Sequence, residues 1–89
     1  MKTIHKYPLM QAAEQTINSH EGAEFLAVQV QNDEACLWVM VDPANRSWSY
    51  TIRIYGTGHL VYEKHLVHLG TFQLLEGRFV GHVFLDLPV

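Results

Sequence analysis

The chain has 89 residues, 48% of them apolar, and a formal net charge of −3 from six Lys and Arg against nine Asp and Glu. This length leaves no room for a second core, and this apolar content argues against disorder. No basic run exists to form an electrostatic footprint for duplex DNA or RNA, so nucleic acid is not an expected partner.

Cys36 is the only cysteine, which rules out an intramolecular disulfide and two-cysteine zinc or redox motifs. A reducing compartment is the simplest reading. The opening MKTIHKYPLM lacks the apolar h-region of a secretory signal, and no apolar run approaches the ~20 residues of a membrane helix. The expectation is a soluble protein of the cytoplasm.

The predicted elements are strands almost throughout. TIHKYPL reads as a short opening strand ended by Pro8, a residue suited to a strand end or edge. Gln11 to Gln15 favours helix by propensity but is too short to stand alone, so a turn is expected, then a brief strand over 15–18. His20-Glu21-Gly22 is the next turn. AEFLAVQVQN alternates, with Leu26, Val28 and Val30 predicted on the core face and Phe25, Ala27, Gln29 and Gln31 on the wetter one.

Asn32-Asp33-Glu34 reads as a hairpin turn. ACLWVMVD is apolar on both faces, Leu37, Val39 and Val41 against Cys36, Trp38 and Met40. Such a strand is central in a sandwich or lies under an interface. Asp42 to Arg46 is a turn. SWSYTIRIYG then sets Trp48, Tyr50, Ile52 and Ile54 on one face and Ser49, Thr51, Arg53 and Tyr55 on the other.

After Gly56-Thr57-Gly58, Leu60, Val61 and Tyr62 are read as a loop lid. A strand is expected from Leu66 through GTFQLL, then a turn at Glu76-Gly77, then a last strand over RFVGHVFLDL. Short strands at regular spacing predict one all-β domain over residues 1–89. It is a small antiparallel β-sandwich or partly open barrel of about six or seven strands.

The glycine loop is the first candidate for chemistry. It lacks the third glycine and following helix of a dinucleotide fingerprint, and the Lys-Ser/Thr pair of a P-loop. What survives is an anion nest of loop amides, with Arg53 on the strand leading in. The ligand set on this reading is Arg53, Tyr55, Gly56, Thr57, Gly58 and His59. The plainer reading is a turn that needs positive φ at Gly56 or Gly58.

The six histidines show no metal-binding spacing: His65 and His68 point to opposite sides of a strand. No metal and no cofactor are expected. Cys36 sits in an apolar strand, Ser47 and Ser49 lack a nucleophile elbow, and the acidic residues are scattered. Catalysis is therefore not expected. Trp38 and Tyr55 are predicted to face outward, as aromatics at an interface do.

Several segments together carry a resemblance: MKTIHKYPL, AEFLAVQVQN, CLWVMVDP, RIYGTGH, LGTFQL and GHVF. The chain resembles an uncharacterised family of short proteins in tailed phages and bacterial prophages. Its members share a tryptophan strand ending in Val-Asp (Trp38 to Asp42 here), a strand into Gly-Thr-Gly (Arg53 to Gly58), a Gly-Thr pair (Gly70-Thr71) and a closing strand with His-Val-Phe or His-Leu-Phe (His82 to Phe84). Members often carry a proline soon after the glycine loop, where this chain has Leu60-Val61. The resemblance implies a phage origin and no particular activity.

The expected function is a non-enzymatic phage accessory protein of the host cytosol. It would bind a host protein or a small phosphorylated ligand, in host takeover or counter-defence. The alternative is a structural or assembly protein that self-associates through Cys36, Trp38 and Met40.

Overall fold

The computed structural model describes residues 1–88. Seven strands follow in chain order: β1 (Thr3–Pro8), β2 (Glu14–His20), β3 (Glu24–Gln31), β4 (Glu34–Val41), β5 (Ser47–Gly56), β6 (Leu66–Leu74) and β7 (Phe79–Asp86). They form two antiparallel sheets, ordered β1-β4-β3 and β2-β5-β7-β6, that are not closed into a barrel. The fold is a small all-β sandwich. Among the described residues no helix is long and apolar enough to cross a membrane.

Alternation explains the layers. β4 is central in its sheet and turns Leu37, Val39 and Val41 inward, each at most 1% exposed. Ile17 of β2, Ile52 of β5, Phe72 of β6 and Val83 of β7 meet them from the other sheet. Full burial of one such side chain contributes roughly 1.5–3 kcal/mol. Along one side the sheets approach closely: a methyl group added at Gly70 on β6 would fall 2.9 Å from Val28 Cβ on β3. Along the other, the Tyr7 hydroxyl of β1 donates to Ser19 Oγ of β2 at 2.9 Å.

Two sequence expectations are corrected. In β3 the register shifts between Phe25 and Ala27, so Leu26 is an extra residue in a β-bulge. The bulge reverses the phase: Phe25, paired with Val39, packs on the core, and Leu26 is 47% exposed. Val28, beyond the bulge, does pack on the core, while Val30 is 39% exposed. Leu60, Val61 and Tyr62 form no lid. All three are exposed, because the segment between β5 and β6 runs over the surface rather than onto the core.

The hairpin turns carry their own chemistry. Asn32 and Asp33 have φ of 53° and 63°, the left-handed pair that a two-residue hairpin requires. Between β6 and β7, Leu75, Glu76 and Gly77 all have positive φ, and the Arg78 amide donates to the Leu75 carbonyl at 3.1 Å. Asparagine and aspartate tolerate that conformation; leucine does so only under strain.

Candidate functional site

At one end of the sandwich four chain segments surround a cavity of about 480 Å³. The β1–β2 connection gives one wall with Leu9, Met10 and Ala13. The β3–β4 hairpin supplies Asp33, Glu34 and Ala35. Ile54, Gly56 and His59 form the β5 side, and Phe72, Leu74, Leu75 and Phe79 close the remainder. The floor is core: Leu9, Ala35 and Phe72 are buried, whereas Met10 and Leu75 are exposed at the lip.

A single side chain secures the first wall. Gln15 on β2 points inward in step with Ile17 and Ser19 and is 6% exposed. Its Oε1 accepts the Met10 amide at 2.9 Å, and its Nε2 donates to the Met10 carbonyl at 2.9 Å and the Ala12 carbonyl at 3.3 Å. The same loop is tied to both sheets: Leu9 N–H donates to the Ala35 carbonyl at 2.8 Å, and Ile54 N–H to the Ala13 carbonyl at 3.0 Å. The polar groups of a turn at the cavity are thus satisfied by protein rather than by bulk water.

The charge of the site is one-sided. Asp33 and Glu34 lie at its edge, and among the described residues no lysine or arginine lines it. An apolar interior with a few polar groups at the mouth is the usual make-up of a recognition pocket. Such a pocket favours an apolar group that carries positive charge nearby and disfavours an anion.

The structure divides the six residues of the sequence-predicted ligand set. Gly56 and His59 reach the cavity wall; Arg53 and Tyr55 point to the opposite face of β5. The Gly56 amide donates to His59 Nδ1 at 3.2 Å, and the His59 amide donates to the Gly56 carbonyl at 3.1 Å. The His59 ring occupies the space of a Gly56 Cβ, with ring atoms 2.9–3.2 Å from that position. Gly58 has φ of +89° and open space around it, so the loop does require a glycine for its turn.

Arg53 is engaged elsewhere. Its Nε donates to Asp86 at 2.6 Å, and Nη1 lies 3.2 Å from Glu14. The Asp86 hydrogen bond, chiefly, raises the guanidinium pKa above its usual value. The Tyr55 hydroxyl donates to Glu63, and its pKa is pushed up to about 12 by partial burial and then by that carboxylate. Thr57 shares a hydrogen-bonded row with His82, Thr71 and His68, at 2.8, 3.1 and 3.1 Å in turn.

Beyond the geometry, one comparison is positive. The family described as "Domain of unknown function (DUF7352)" matches residues 1–88. The chain belongs to that family. No curated protein and no solved structure matches it. Membership in this family spans every strand and all four walls of the cavity.

Of the three residues read as an interface, Cys36 is 2% exposed and its thiol sits 3.6 Å from the Glu34 carbonyl. Trp38 and Met40 are half-buried on the outer face of the three-stranded sheet. Sequence reasoning missed most of the cavity lining, because its walls come from segments far apart in the chain. Gln15 had a usable signal: it alternates with Ile17 on the inward face of β2.

Proposed function

We propose that this chain is a non-enzymatic binding module, a phage accessory protein acting in the host cytosol, that takes an apolar, positively flanked segment of a host protein into its end cavity. The observation that carries this reading is the cavity's chemistry: apolar walls, Asp33 and Glu34 at the rim, and no lysine or arginine in the lining among the described residues. The strained lip supports it too. Non-glycine residues strained at positive φ cluster at functional sites, and Leu75 borders the opening. A small phosphorylated ligand is the less favoured occupant. The arginine that would meet phosphate is held by two carboxylates, and the Gly56 and His59 amides are used within the loop.

Amide NMR titration tests the reading with two peptides that share an apolar anchor and differ in flanking lysines or glutamates. The lysine peptide should perturb the amides of Leu9 to Ala13 and of Asp33 to Ala35. It should bind about tenfold tighter than its partner, the factor that ~1.4 kcal/mol of charge attraction supplies. Met10→Trp, which fills the mouth from an exposed position, should abolish the response. Equal binding of the two peptides, or binding of ADP-ribose in preference to both, would overturn it.

A further inference from the structure

The two outer faces of the sandwich differ. On the four-stranded sheet the outward side chains satisfy one another: Arg53 with Asp86 and Glu14, Tyr55 with Glu63, Ser49 with Asn18, and the row from Thr57 to His68. On the three-stranded sheet the outward centre is apolar. Cross-strand pairing places Ile4 beside Met40 and Ala27 beside Trp38 on that face. Ile4 is 57% exposed. Trp38 Nε1 is buried without an acceptor among the described residues, an unusual state for an indole donor.

What covers this strip in the single chain is two lysine side chains. Lys2 reaches across to Glu24 at 2.8 Å, and Lys6 reaches over Trp38 to Gln31 at 2.9 Å, its Nζ 6.0 Å from the indole centroid. The cations therefore start from the β1 edge, and their acceptors, Glu24 and Gln31, sit on the β3 edge. Such a pattern is self-complementary. A two-fold axis parallel to β4 lays β1 of one copy over β3 of another, cation over acceptor on both sides.

We propose that this face is the interface of a two-fold homodimer, in which Lys2 and Lys6 of each copy exchange their own Glu24 and Gln31 for those of the second copy. The polar pairs are conserved in number by the exchange. The gain comes from Ile4, Trp38 and Met40, which leave water as the two apolar strips meet. Exposed ion pairs contribute little to a single chain, so releasing them costs little. This interface lies on β4's outer side, away from the end cavity, and stands or falls independently of the ligand reading.

Sedimentation velocity across a concentration series tests it with charge reversals. The double variant Lys2→Glu/Lys6→Glu and the variant Glu24→Lys should each stay monomeric where the native chain dimerises. An equal mixture of the two should restore the dimer, since each supplies the charge that the other has lost. Circular dichroism should be unchanged for both, because the altered groups are exposed. A native chain that stays monomeric at millimolar concentration overturns the proposal. So does dimerisation of either variant at native strength, or a mixture that remains monomeric.

Discussion

Gln15 holds Met10 by both of its backbone polar groups, donating to the carbonyl and accepting from the amide, each at 2.9 Å. The carboxamide acts as a missing strand segment, and the wall of the cavity hangs on it. Gln15→Ala should destabilise the fold by about 1–3 kcal/mol, the cost of leaving buried polar groups without partners. Urea denaturation reads the loss, and hydrogen exchange at the Met10 amide should quicken. Gln15→Glu keeps the acceptor for the Met10 amide but turns a buried carboxylate oxygen toward the Met10 and Ala12 carbonyls, so at neutral pH it should cost at least as much as the alanine variant.

Two glycines that flank Thr57, Gly56 and Gly58, should respond differently to alanine. Gly58 has φ of +89°, so Gly58→Ala forces an L side chain into left-handed backbone and should cost about 1–2 kcal/mol. Gly56 has an ordinary φ, and the nearest atoms to its added methyl belong to the His59 ring, an exposed side chain that can swing away. Gly56→Ala should therefore leave the melting transition nearly in place and shift the His59 ring resonances instead. A larger loss at Gly56 than at Gly58 would mean that the ring, not the turn, organises this loop.

Tyr55 gives a pH-dependent signature. Its phenol ionises at about 12 in the folded chain, above the ordinary value near 10, because partial burial and the Glu63 carboxylate both disfavour the phenolate. The folded state binds the proton more tightly than the unfolded state. This contribution to stability is therefore complete below pH ~10 and is lost as pH rises toward 12. A Tyr55 Cζ titration by NMR should show the raised midpoint. Glu63→Gln should lower it toward the ordinary value.

Much of this architecture was legible in the residue order, for a physical reason. β5 alternates without interruption, so its row of Tyr50, Ile52 and Ile54 can be read directly, whereas β4 is apolar on both faces and shows only that it lies centrally or under an interface. β3 was misread because an extra residue in a bulge looks like any other in a sequence, yet it inverts everything on one side of it. The cavity was hidden because Leu9, Ala35, Ile54 and Phe72 meet only when four connections converge at one end. The ion pair of Arg53 was hidden likewise, its Asp86 partner lying 33 residues away. A cation on a strand leading into glycines suggests an anion site until the paired strand brings its own carboxylate.

Leu75 is where fold and function are expected to compete. It has φ of 54°, where leucine's Cβ crowds the backbone at a cost of roughly 1–2 kcal/mol, and its side chain is 70% exposed at the cavity lip. Burial in the free chain does not repay that strain. Leu75→Asn keeps a residue that tolerates the left-handed region and should stabilise the fold by about 0.5–1 kcal/mol, read by urea denaturation. The same change removes an apolar group from the opening, so the lysine-flanked peptide should bind several-fold more weakly. A variant that gains stability and keeps full affinity would show that the lip residue takes no part in binding.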